Sequence, residues 1–233
     1  PARTDYGAIE AFGDSANART VTLGTAGSQT ITTSSYFYVI ADAIGAGNNV
    51  SIQGATYDPT LNVGGDFDFT GTQAATEVVT APDASATWTV GGNVDLTSGT
   101  WTASAETLTM NGSTKSLTTA GNSLKYFTVS GGSVTMVGTT TLTGNLTISG
   151  GTLSAPSSGA LNVAGDWNNS GGTFTDNSST VTLNGAAQQT LSGTMTVSSD
   201  FNNLTITNSS GSDPDTSPSV IFGAAATTTG TFT

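Results

Sequence analysis

Cysteine and histidine are both missing from this chain of 233 residues. Without Cys there is no disulfide framework and no thiolate metal site. Without His, the Ser-His-Asp and Cys-His nucleophile arrangements and the usual zinc ligands are excluded together. Basic residues are nearly as scarce. Arg3, Arg19, Lys115 and Lys125 stand against 16 acids, giving a net charge of −12. Such a surface repels a phosphate backbone and carries no basic stripe to offset that, so nucleic acid is excluded as a partner. Anionic membrane surfaces are disfavoured on the same ground. No apolar run approaches the roughly 18 residues of a membrane span, so membrane insertion is not expected. No signal peptide is visible, so a mature form or an excised piece is expected.

What the chain has in excess is Gly, at 30 residues, and Ser plus Thr, roughly a third of the whole. Val, Ile, Leu and Phe nevertheless recur at spacing two, so this is not the composition of a disordered segment. Thr-apolar-Thr triplets such as Thr30-Ile31-Thr32, Thr87-Trp88-Thr89, Thr107-Leu108-Thr109 and Thr180-Val181-Thr182 run through the chain. In a strand the central side chain points one way and the two threonines the other. Each triplet therefore predicts a strand with one buried face and one face of hydroxyls and methyls.

A second device is longer. Gly92-Asn93-Val94 precedes Gly99-Thr100-Trp101, Gly144-Asn145-Leu146 precedes Gly151-Thr152-Leu153, and Gly165-Asp166-Trp167 precedes Gly172-Thr173-Phe174. Val90–Gly112 aligns with Val163–Gly185 without a gap. Matching glycines recur at steps of about 20 residues, within the range of solenoid repeats. The expectation is an all-β parallel β-solenoid (a β-helix) with coils of about 20 residues. The alternative is one or two antiparallel β-sandwiches, because Gly-Gly and Thr-Gly steps flanked by apolar residues also read as hairpins. In residues 1–19, Tyr6, Ile9 and Phe12 recur at spacing three after Asp5, a candidate N-cap. A short helix is predicted there, within an N-terminal cap or arm. Residues 20–233 form the repeat region, with a subdivision expected near 211–218. The closing Gly230-Thr231-Phe232-Thr233 repeats Gly172-Thr173-Phe174-Thr175.

The run GNLTISGGTLSAPSSGALNVAGDWNNSGGTFTDNSSTVTLNG, Gly144 to Gly185, resembles the repeats of large secreted bacterial surface proteins. Filamentous-haemagglutinin-like adhesins and autotransporter passenger domains belong to that group, and the resemblance extends over Leu61–Ile206. It implies a right-handed parallel β-helix, export to the cell surface, and a role as stalk, adhesin or fibre. No secretion domain and no Arg-Gly-Asp accompany it.

Few residues suggest chemistry. Asp66 and Asp68 lie two apart and share a strand face; they form a candidate Ca²⁺ site or a carboxylate pair for glycoside cleavage. No His and no nearby base accompanies them, and a solvated acidic turn reads more simply. Asp213 and Asp215 form a second candidate Ca²⁺ loop, against the plain reading as a Pro-rich turn. Trp88, Trp101 and Trp167 would offer a sugar-stacking platform, but other copies place Leu, Phe or Val there, so they read as core. Asn side chains at Asn49, Asn111, Asn145, Asn168, Asn177, Asn203 and Asn208 head glycosylation sequons, and read rather as inter-coil hydrogen-bonding ladders.

The residues therefore point to a non-enzymatic, structural or adhesive extracellular protein. Its expected partners are further copies of itself joined head-to-tail, neighbouring repeats of the same polypeptide, or a glycan or host-surface ligand. A carbohydrate-binding or carbohydrate-cleaving β-helix is the alternative. Ice binding is a third reading. It requires threonines stacked in register on successive coils, and the irregular steps between the triplets weigh against it.

Overall fold

The computed structural model describes residues 5–13, 19–24, 29–41, 50–69, 77–84, 86–213 and 216–233. These fall into two units, Pro1–Thr109 and Met110–Thr233. Both are parallel β-solenoids.

In the first unit each coil visits three faces in turn. Asp5–Tyr6, Thr30–Thr33, Thr60–Val63, Thr87–Val90 and Thr107–Met110 stack on the first face. Ile9–Gly13, Phe37–Ala41, Phe67–Phe69 and Val94–Asp95 stack on the second, and Arg19–Thr22, Val50–Gln53, Glu77–Thr80 and Gly99–Thr102 on the third. The ladders joining Asp5–Tyr6 to Thr87–Val90, and those of the second and third faces, are parallel. That disposes of the antiparallel sandwich. The helix predicted from Tyr6, Ile9 and Phe12 is replaced by two strands, Asp5–Tyr6 and Ile9–Gly13. Spacing three fits a pair of short strands broken at Gly7 as well as it fits a helical turn. Pairing with Thr32–Thr33 and Phe37–Ala41 then decides the matter.

The second unit is built the same way. Ser123–Leu124, Thr140–Leu142, Ala160–Val163, Thr180–Leu183 and Asn203–Ile206 form one parallel face. Two long strands, Tyr126–Val137 and Leu146–Ser154, each serve the other two faces by bending midway. Their register shifts between Val129 and Ser133. The bend is made by Gly132 and Gly151, both at positive φ (63° and 71°). A Cβ on Gly151 would overlap the carbonyl oxygen of Gly132 on the adjacent coil. That stacked corner explains Gly151, since only Gly adopts this conformation freely. At Gly172, where φ is not positive, a Cβ would instead overlap the Ile148 side chain and the Gly151 carbonyl oxygen of the coil before.

The coil length expected from the sequence holds over most of the second unit, where Asn145 and Asp166 lie 21 residues apart and Asp166 and Thr190 24, and it lengthens to 28 between Asn203 and Thr231 in the last coil. In the first unit too the step is longer, 27 residues between Asp66 and Asn93. There the faces are joined by longer intervals, while the strands themselves keep their register.

The alternation of burial follows the triplets. Trp88, Leu61 and Leu108 point into the first unit, and Leu161, Val181 and Leu204 into the second, all essentially inaccessible. Each such side chain contributes roughly 1.5–3 kcal/mol by leaving water. Aromatic rings fill the centres. Trp88 meets Trp101 edge-on at 5.4 Å, and Trp167 meets Phe174 and Phe201 at 4.9 and 5.1 Å. The three tryptophans are thus core residues, as the substitution pattern among the repeats implies.

The first Gly of the device has its own cause. Asn145 Oδ1 accepts the Asp166 backbone N–H at 2.8 Å, and Asp166 Oδ1 in turn accepts that of Thr190 at 2.8 Å. Asp66 Oδ1 accepts the Asn93 N–H at 2.6 Å, and Asn203 Oδ1 that of Thr231 at 2.9 Å. A Cβ at Gly92 or Gly165 would overlap the side-chain oxygen of Asp66 or Asn145 from the coil before. The Gly-Asn/Asp dipeptide is therefore one half of a coil-to-coil clasp, the ladder expected of the Asn side chains, here made by Asn145 and Asn203. Asn177 and Asn208 serve the same end by donating to the carbonyls of Ala155 and Ala187, each at 2.7 Å. Asn49 lies outside the described residues.

Candidate functional site

Two surfaces stand out from the hydroxyl-covered faces. The first is the outer side of the second face of the first unit. Strand alternation buries Phe37, Phe67 and Phe69 and turns Tyr36, Tyr38, Asp66 and Asp68 outward. Parallel register then sets Glu10 beside Tyr38, Tyr38 beside Asp68, and Asp68 beside Asp95. The rings of Tyr36 and Tyr38 stack at 4.2 Å, and the Tyr36 hydroxyl donates to Glu10 Oε1 at 2.5 Å.

Carboxylates held one coil apart interact unfavourably. Partial burial, together with the charges of Asp95 and Asp66, pushes the Asp68 carboxyl up to about 6. The hydrogen bond to Glu10, with partial burial and the Glu10 charge, raises the Tyr36 phenol. Partial burial raises that of Tyr38, helped by Asp66, Asp68 and Glu10.

Asp66 and Asp68 do share a face, as the sequence predicts. One oxygen of Asp66 and one of the neighbouring Asp95 are engaged within the fold, however. Asp66 Oδ1 accepts from both the backbone and the side chain of Asn93, and Asp95 Oδ1 from the backbone and hydroxyl of Thr97. Among the described residues no three acidic side chains converge so as to hold a metal ion. Glu10, Tyr36, Tyr38 and Asp95 could not be placed together from the sequence, because their proximity depends on unequal coil steps, all longer than the short repeat announces.

The other acidic candidate is a turn. Asp213 Oδ1 accepts the Thr216 N–H at 2.9 Å, and Asp213 bridges Ser217 in antiparallel fashion. Asp215 lies outside the described residues, so its pairing with Asp213 has no geometry here.

The second surface is an edge of the second unit. Val220–Phe222 pairs with Gln189–Leu191 on one side. Ala226, Thr228 and Phe232 continue that coil over Met195, Phe201 and Leu204. No further strand among the described residues covers it. Ile221, Phe222 and Phe232 are 38%, 41% and 61% exposed. Leu204, Phe222, Ala224, Ala226 and Phe232 line an open hollow of about 420 Å³. It is apolar, and the strand beside it has one unpaired edge, the arrangement that accepts an added strand.

Comparison with protein-family models, curated proteins and solved structures finds no match for this chain.

Proposed function

We propose that the chain is a non-enzymatic structural or adhesive module of an extracellular surface protein, and that its copies associate head-to-tail. The observation that carries this reading is the apolar strand edge at Val220–Phe222 and Phe232, on a solenoid whose coils are clasped one to the next. A parallel rung laid on that edge would continue the ladder and bury Ile221, Phe222 and Phe232. Repeated heterologous contacts of this kind do not close, and they build filaments. The resemblance of Leu61–Ile206 to secreted bacterial surface repeats, together with the hydroxyl-rich exterior, supports export and a surface location.

Negative-stain imaging of the purified chain across a concentration series, with and without calcium, tests the reading. Filaments or end-joined particles are expected, and Phe222→Asp with Phe232→Asp should abolish them while the melting curve is retained. Wild-type protein that stays monomeric at high concentration in both conditions refutes self-assembly. Calcium-dependent association would revive an ion bound by the acidic face.

A second reading, glycan binding, is favoured by the stacked Tyr36–Tyr38 pair amid Glu10, Asp66 and Asp68. Exposed aromatic rings beside hydrogen-bonding carboxylates suit sugar rings. A glycan array, repeated with Tyr36→Ala and Tyr38→Ala, separates it from the first.

A further inference from the structure

The irregular sequence steps between Thr-apolar-Thr triplets disappear in three dimensions. On the first face of the first unit, Thr30 pairs with Thr60 and Thr32 with Asn62. Asn62 pairs with Thr89, which places Thr60 beside Thr87 on the same strands. The Thr107 N–H bonds to the Ala86 carbonyl, the parallel register that sets Thr107 beside Thr87 and Thr109 beside Thr89. Two columns result, Thr30–Thr60–Thr87–Thr107 and Thr32–Asn62–Thr89–Thr109. Seven of these eight outward positions are Thr and the eighth is Asn62.

We infer that this face binds ice. Adjacent coils place equivalent side chains about 4.8 Å apart, and residues two apart along a strand lie about 6.6 Å apart. The face is thus a two-dimensional grid of hydroxyl and methyl groups on the scale of the water–water repeats of ice. Threonine suits the task because its β-branched side chain has few χ1 states. Identical neighbours on a regular backbone therefore present matching rows. Behind each row Ile31, Leu61, Trp88 and Leu108 are buried, so the grid rests on packed core.

Charge supports the assignment. The four strands Thr30–Thr33, Thr60–Val63, Thr87–Val90 and Thr107–Met110 contain no ionisable residue, in a chain of net charge −12. The acidic residue that adjoins them on this face, Asp5 beside Thr32, lies at the end of the grid. The carboxylates of Asp68 and Asp95 belong to the second face. A neutral lattice of water offers no counter-charge, and an ionised group would keep its own disordered hydration shell, so the partner matches the face. The third face of the same unit lacks this regularity, since Thr20 pairs with Ser51, Ser51 with Val78 and Val78 with Thr100. The inference does not rest on the head-to-tail reading, and either can fail alone.

The test uses the full chain and two readouts, adsorption to a slowly growing ice hemisphere and inhibition of ice recrystallisation. Wild type should enter the ice and suppress recrystallisation. Thr87→Tyr and Thr89→Lys, in the middle of the grid, should abolish both with the circular-dichroism melt unchanged. Thr100→Tyr, exposed on the irregular third face of the same unit, should leave both intact. Asn62→Thr completes the grid and should strengthen both, a gain that a merely structural threonine row would not give. Exclusion of wild type from ice overturns the inference. Equal behaviour of the Thr87 and Thr100 variants overturns it as well.

Discussion

Replacing Gln189 by Met keeps roughly the volume of a side chain that is 1% exposed and removes its hydrogen bonds. Gln189 Oε1 accepts the Gly185 N–H and an Asn208 side-chain N–H, both at 2.9 Å, while its amide donates to the carbonyls of Val163 at 2.9 Å and Gly165 at 2.5 Å. The Val163 carbonyl keeps another donor, Asn184 N–H, and the second Asn208 N–H keeps Ala187. The loss therefore falls on two orphaned donors, the Gly185 and Asn208 N–H groups, and on the part-buried Gly165 carbonyl. A buried unsatisfied donor costs about 1–3 kcal/mol, so Gln189→Met should destabilise the second unit by about 3 kcal/mol after partial relaxation. Linear extrapolation of urea melts should report this with an unchanged m-value, and the melting temperature should fall by roughly 10 °C. Amide hydrogen exchange at Gly185 should accelerate more than exchange at Leu161 or Val181. A loss below about 1 kcal/mol, with Gly185 still protected, would refute the reasoning. Packing alone would then account for this polar residue in an apolar core.

Three further outcomes follow from the same geometry. Gly165→Ala places a Cβ against Asn145 Oδ1 and the Gly144 backbone. Because backbone cannot swing aside, urea melts should show a loss of about 3 kcal/mol or more, only partly relieved in the double variant with Asn145→Ala. The Asp68 carboxyl is raised to about 6, so the folded state holds its proton more tightly than the unfolded chain. Stability should therefore fall as pH rises from about 4 through about 6. Discounted for solvent screening, Asp68→Asn should gain about 1 kcal/mol above pH 7 and nothing near pH 4, measured by urea melts at both. Trp167→Leu should cost about 2–4 kcal/mol, because the Trp167 ring packs on Phe174 and Phe201 and leaves a cavity that they cannot fill, and the melt should show it.

The strand faces were legible because Thr-apolar-Thr has a period of two and parallel stacking preserves it. Trp88, Trp101 and Trp167 could be placed in the core from the Leu, Phe and Val that occupy equivalent positions in other repeats. Coil length was legible between Gly144 and Ile206, where corners are short, and not in the last coil, where Leu191 pairs with Phe222. It was not legible in the first unit, where equal faces are joined by unequal intervals. For that reason neither the Tyr38–Asp68–Asp95 row nor the threonine grid could be read from spacing alone. The helix predicted at Tyr6–Phe12 failed because a local period of three cannot outweigh pairing with Phe37–Ala41.

The clasp between a Gly and the Asn or Asp one coil away separates two kinds of mutation. Substitutions at the clasp disturb two coils at once, whereas insertions between faces disturb neither. Phe67 stacks on Val94 and Val79 on Trp101 although the chain travels farther from the second face to the third in one coil than in the next. Register along the coils is thus set by the ladders and the clasps, and not by the length of chain between one face and the next.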